Sequence, residues 1–263
     1  MKIIYFGTDV FYECFKFLVE SEHEIISLYT YHNEDEYIRE EKIAALATEK
    51  NIPIVYDKLT EAQALSLFAE KKCDLFFSAE YDSKIPTPNI ENFRGINIHN
   101  SLLPEGKGYF PIEMRLYKGY DYGGVTIHKL TAQFDKGDIL LQHKFDITLA
   151  ENDRDIYKKC HSSAAMMTAK LMNDFEHHWH NAQKQNSVGS YWAKPSLNEL
   201  TITNDLTVQE AKHIYRSFGR LCFAKVEGIL YKVEAIAEVD DNCCKESFIM
   251  NLRDGQVKVL VQE

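Results

Sequence analysis

Over the first hundred residues, short apolar runs alternate with segments of helical spacing, and this alternation limits the fold more than any other feature of the chain. KIIYF (2–6), EIISLYTY (24–31), IPIVY (52–56), CDLFFSAEY (73–81) and GINIHN (95–100) are dense in β-branched, aromatic and other apolar residues. Strands buried on both faces read this way, because helices cover both sides of a parallel sheet. A helical pattern runs to about Glu20, and either Thr8 or Asp9 can cap it. A charged segment (33–50) carries Ile43 and Leu46 at helical spacing, and EAQALSLFAEKK (61–72) reads as a further helix. The expectation is an α/β fold with a doubly wound, mostly parallel sheet of the Rossmann-like kind. Ligands bind such sheets beyond the carboxyl ends of the strands, the region of Asn97, His99 and the loop 78–88.

The second half continues with a helix from Pro111 to about Lys118, proline being tolerated at an early helical position. GGVTIHKL (123–130) and ILLQHKFDI (139–147) alternate in polarity and read as a hairpin-like pair joined through the Asp135 loop. One long helix is expected over 153–180, with Ile156, Cys160, Ala164, Met167 and Leu171 turned inward. QNSVGSYWAKPS (185–196) is rich in turn formers. Beyond Leu206, the helical VQEAKHIYRSF precedes four alternating segments, so a small C-terminal antiparallel β unit is expected. A boundary near 190–205 divides the chain into a catalytic domain, 1–190, and a C-terminal domain, 205–263.

The chain has 30 Lys and Arg against 40 Asp and Glu, a formal net charge of −10. Nucleic-acid binding calls for a basic patch, and none stands out, so a nucleic-acid partner is disfavoured. No run approaches the roughly 20 apolar residues of a membrane span. The N-terminus has no secretory pattern, and a cytoplasmic location is expected. The six cysteines lack zinc or thioredoxin spacing and read as reduced thiols, with Cys243 and Cys244 expected at a hairpin tip. No metal is expected: His177 and His180 of the HHWH run share a helix face but read as a solvated helix end.

Asn97 and His99 stand two apart on one strand and so project from the same face. With Asp135 in the glycine-flanked turn they form a group suited to moving an acyl group to an amine. Attack on the carbonyl makes a tetrahedral oxyanion, and one well-placed donor lowers its energy by ~3–4 kcal/mol. The Asn97 amide is a donor that does not titrate; His99 can shuttle the amine proton or stabilise the oxyanion, and Asp135 can orient the imidazole. His128, without such partners in the sequence, reads as structural; Ser101, outside any nucleophile elbow, reads as a loop-capping or ligand-contacting residue. Tyr191 and Trp192 read as interdomain packing, and Asp138 as a residue that orders the turn.

The Asn-x-His at 97–99, the Ser-Leu-Leu-Pro loop at 101–104, Asp135 lying 36 positions after His99, and FDKGDILLQ (134–142) together resemble the 10-formyltetrahydrofolate-dependent formyltransferases. IIYFGT (3–8) and SYWAKPS (190–196) resemble the first strand and the C-terminal lead-in of the tRNA-specific branch. The resemblance implies catalytic roles for Asn97, His99 and Asp135, with 10-formyltetrahydrofolate as donor. Its pteridine would be held by backbone of the segment around Ala79, Tyr81 and Ile85, and of the 131–138 loop that includes Gln133. GKGYFPIEM (106–114) resembles a stretch of several sugar N-formyltransferases, implying acceptor contacts at Ser101, Lys107, Tyr109 and Phe110, and pyrophosphate contacts from Lys107 and Arg115. Two positions depart from the family pattern: Asn100 follows His99, and Lys107-Gly108 stands where Arg-Gly is frequent. The reading that the resemblance favours is N-formylation of a nucleotide-linked amino-dideoxy sugar for a bacterial surface polysaccharide, by a homodimer, with the C-terminal β unit either pairing subunits or closing over the substrate. Methionyl-tRNA or glycinamide ribonucleotide as acceptor, a formyltetrahydrofolate hydrolase, and a non-catalytic folate-binding protein are the alternatives.

Overall fold

The computed structural model describes residues 1–32, 39–70, 72–186, 188–239 and 246–261. Its elements are β1 (Lys2–Gly7), α1 (Tyr12–Glu20), β2 (Glu24–Tyr29), α2 (Glu41–Glu49), β3 (Ile54–Val55), α3 (Glu61–Ala69), β4 (Leu75–Ala79), β5 (Gly95–His99), β6 (Lys107–Gly108), α4 (Pro111–Tyr117), β7 (Tyr122–Lys129), β8 (Ile139–Asp146), α5 (Asp153–Asn173), α6 (Phe175–His180), β9 (Tyr191–Trp192), β10 (Thr201–Ile202), α7 (Val208–Phe218), β11 (Phe223–Val226), β12 (Ile229–Ala237), β13 (Ser247–Leu252) and β14 (Gly255–Val261). Two compact units emerge, one made of Met1–Lys107, Gly124–Lys144 and Lys159–Ser190, the other of Gly108–Gly123, Phe145–Lys158 and Tyr191–Glu263. Residues 108–123 and 145–158 thus group with the C-terminal segment rather than with the 1–190 stretch.

The first unit is organised by a sheet of order β3-β2-β1-β4-β5-β7-β8. The first five strands run parallel and β7 runs antiparallel to β5. Every residue of β4 and all of β1 after Lys2 are buried, as strands covered on both faces require. Ile4, Phe6, Phe68 and Phe76 form part of one core cluster, with Phe6 and Phe76 rings 5.2 Å apart. Between β1 and β4 the strand order reverses, and Gly7 ends β1 there because a Cβ would lie 2.3 Å from the Ala79 carbonyl oxygen.

Two local expectations change. The Asp9 carboxylate caps α2 rather than the helix that follows it, accepting from the Lys42 and Ile43 amides at 3.0 and 2.8 Å, and among the described residues Thr8 makes no side-chain cap bond. The expected single helix over 153–180 is broken at Asp174, whose φ of −146° and ψ of 57° are not helical.

The second unit carries a sheet of order β10-β11-β12-β14-β13, antiparallel except for the β10–β11 pair. α7 starts with a capping box between Thr207 and Glu210. Trp192, Ile202, Phe218, Val233 and Val259 belong to its core. Arg115 on α4 is 1% exposed, with Tyr120, Tyr122 and Trp192 rings 4.7, 5.0 and 5.3 Å from its guanidinium carbon. This aromatic box overturns the expected pyrophosphate contact, since the cation is spent inside the unit.

Among the described residues no helix is long and apolar enough to cross a membrane, and no three His, Cys, Asp or Glu gather to hold a metal ion. Among the described residues, Cys14, Cys73, Cys160 and Cys222 are buried and form no disulfide; Cys243 and Cys244 lie outside the described residues.

Candidate active site

Strand alternation puts Asn97 and His99 on one face of β5, and the antiparallel register then sets His128 of β7 directly opposite Asn97. Asn97 is half-buried, and the Nδ2 of its amide lies 3.2 Å from His128 Nε2. Both imidazoles are anchored by main-chain carbonyls: His99 Nε2 donates to Gly106 at 2.7 Å, and His128 Nδ1 donates to Lys129 at 2.9 Å. A carbonyl only accepts, so these contacts fix which nitrogen of each ring carries a proton.

Asp135 completes the group from the loop between β7 and β8. Its Oδ1 stands 3.7 Å from His99 Nδ1 and 3.6 Å from His128 Nε2. All three groups are 8% exposed or less, so their mutual electrostatics are weakly screened. Asp135 adopts a positive φ of 55°, which the surrounding loop enforces. Gln185 Nε2 donates to the carbonyls of Asp135 and Gly137 at 2.9 and 2.8 Å, and Lys129 N donates to the Asp138 carbonyl at 2.9 Å. Gly137 permits this close approach, because a Cβ there would lie 1.7 Å from the Lys129 carbonyl oxygen.

The loop after β5 is equally tied down. Ser101 Oγ donates to the Glu105 carbonyl at 2.7 Å and is fully buried, so in this structure it caps the loop. Thr126, opposite His99, donates to the Ser101 carbonyl at 2.6 Å and accepts from the Leu103 amide at 3.1 Å. Lys107 is also buried and donates through Nζ to the Val188 carbonyl at 3.2 Å. Burial, followed by the charge of Lys136, lowers its pKa, and Asp135 opposes that shift.

The expected donor-binding residues divide. Ala79 closes β4 and is fully buried; Ile85 belongs to the core cluster of Phe6 and Phe76. Glu80 between them takes a positive φ of 60°, and burial raises its carboxyl pKa. Tyr81 packs edge-on to Phe6 and Tyr31, its hydroxyl pushed to about 12 chiefly by burial. Gln133 is exposed on a turn where its carbonyl accepts from the Thr131 hydroxyl. Tyr109 and Phe110 belong to the second unit: Tyr109 is 47% exposed beneath Lys194 Nζ, and Phe110 precedes α4 and packs on that unit's core.

Sequence reading missed two members of the group. His128 is not merely a strand residue, since it touches Asn97 and faces Asp135; the alternation of β7 held the signal, but its pairing with β5 did not show. Gln185 lies far along the chain in a turn-rich stretch, with no local sign that it braces the Asp135 loop.

Residues 1–170 match the family model described as formyl transferase. The methionyl-tRNA formyltransferase of Pseudoalteromonas translucida is 24% identical over 244 residues, covering 89% of this chain and 76% of that enzyme. Across three such relatives the chain spans 56 to 76% of their length. In fold, the chain is similar to a 4-N formyltransferase from Francisella tularensis, with a TM-score of 0.72, 22% identity, and coverage of 89% of this chain and 96% of that one. It is also similar to WlaRD, a sugar 3N-formyl transferase solved in the presence of dTDP and 5-N-formyl-THF, with a TM-score of 0.68, 21% identity, and coverage of 99% and 97%. With the family model spanning the whole stretch that carries Asn97, His99, His128 and Asp135, the chain belongs to the formyl transferase family.

Proposed function

We propose that this protein transfers a formyl group from 10-formyltetrahydrofolate to the amine of a nucleotide-linked amino sugar. The convergence of Asn97, His99 and Asp135 within one unit carries the reading. The amine nitrogen attacks the formyl carbon and a carbon–nitrogen bond forms. The bond from that carbon to N10 of the folate then breaks, and the proton lost by the amine ends on N10. Asn97 has two amide hydrogens; one faces His128, and the second is the donor for the developing oxyanion. His99 is held through its Nε2–H, so its Nδ1 edge, facing Asp135, handles the proton. Asp135 stabilises the imidazolium while the proton is in transit.

The sugar-nucleotide acceptor is supported by near-complete mutual coverage with WlaRD and by the net charge of −10, which disfavours a polyanion. The tRNA reading is favoured by the sequence relatives, which are methionyl-tRNA formyltransferases. Incubation with the formyl donor and either a panel of UDP-, GDP- and dTDP-linked amino sugars or charged initiator tRNA separates the two. Tetrahydrofolate release driven by one amino sugar is expected; release driven by tRNA alone supports the second reading, and full-rate release without acceptor replaces both with hydrolysis.

A further inference from the structure

We propose that His128 is a positioning residue, one that turns the Asn97 amide beside the His99–Asp135 pair; this rests on the formyl-transfer reading. The ring is 2% exposed and pinned at both nitrogens. Nδ1 donates to the Lys129 carbonyl at 2.9 Å, so in the neutral ring Nε2 is bare and can only accept. The group 3.2 Å away must then be the NH2 end of Asn97, because a flipped amide would set two acceptors face to face. Fixing one amide hydrogen on His128 fixes the direction of the other. Without that anchor the amide can turn over and present its carbonyl oxygen, a repulsive group, to the oxyanion.

The same bare Nε2 lies 3.6 Å from Asp135 Oδ1 and offers it no proton. Two imidazoles flank one carboxylate at nearly equal distance, each anchored through its far nitrogen: His99 turns Nδ1 to Asp135 and His128 turns Nε2. The Lys129 backbone links the His128 ring to the Asp135 loop. Its carbonyl holds the His128 ring and its amide holds the Asp135 loop through Asp138.

Two substitutions separate this role from simple packing. His128→Gln keeps an acceptor near the Nε2 position; His128→Asn keeps only the donor toward Lys129. Expected are a kcat within ~5-fold of wild type for His128→Gln and a loss of ~30–100-fold for His128→Asn, the scale of a misdirected group. KM for both substrates stays within ~3-fold, since no ground-state contact is removed. Equal kcat values for the two folded variants would overturn the proposal. Nitrogen-15 histidine NMR of the wild-type protein supplies a readout independent of turnover and of variant folding. A protonated Nδ1 and bare Nε2 are expected for His128, with the Nε2 resonance shifting in Asn97→Leu; a protonated Nε2 overturns the proposal. A wild-type protein that transfers to no amine defeats the formyl-transfer reading, and the ring's tautomer still decides the role of His128.

Discussion

Replacing Glu113 with Gln should remove a large part of the pH dependence of folding stability. Glu113 is 1% exposed on α4, and its Oε1 accepts from the Tyr157 hydroxyl at 3.0 Å, whereas Oε2 has no hydrogen-bond partner among the described residues. Burial pushes its carboxyl from 4.5 up to about 7; the Glu113 amide and Tyr157 oppose that shift, Asp153 adds to it and Arg220 opposes it. The folded protein therefore keeps a proton that the unfolded chain releases. Stability from this group is full below pH 4.5 and falls as pH rises through about 7. A shift of that size corresponds to ~3 kcal/mol between the two extremes. Gln has the same shape and no charge, so it removes the titration. Urea denaturation of both proteins at pH 5 and pH 8 measures the effect, and other titrating groups cancel in the comparison. The wild type should lose ~2–3 kcal/mol more than the variant over that interval. Parallel pH profiles would refute the claim that burial, unrelieved at Oε2, sets this group's charge.

Gly137→Ala tests the Asp135 loop: its Cβ would sit 1.7 Å from the Lys129 carbonyl, where 3.0 Å is the shortest separation real Cβ atoms tolerate, so the loop must yield by about 1.3 Å. A displacement of that size is expected to lower kcat ~100-fold in the tetrahydrofolate-release assay, and a wild-type rate would contradict the role given to the loop. Thr207→Ala removes the acceptor that meets the Glu210 amide at 3.1 Å and should cost ~1 kcal/mol in a denaturation midpoint; an unchanged midpoint would show that the capping box adds nothing.

Apolar runs made the parallel strands legible, because a strand buried on both faces has to be apolar throughout. Spacing of two placed Asn97 and His99 on one face, and a glycine-flanked turn marked Asp135. Features set by non-local pairing stayed hidden. His128 acquires its partners only because β7 lies against β5 with Asn97 opposite it. Arg115 is expected from the resemblance to meet a pyrophosphate, yet Trp192, 77 positions away, helps bury it. Asp9 was legible as a helix cap but not as the cap of α2, whose first amides it reaches across 33 and 34 positions. The helix break at Asp174 carries no proline or glycine to announce it.

The most direct test of the site is acceptor-dependent tetrahydrofolate release by wild-type protein beside His99→Gln and Asp135→Asn, with folding of each checked by thermal melting. Turnover that requires an amine and falls at least ~100-fold in each folded variant is expected. Near-normal turnover with either side chain replaced would contradict the assignment of proton transfer to the His99–Asp135 pair.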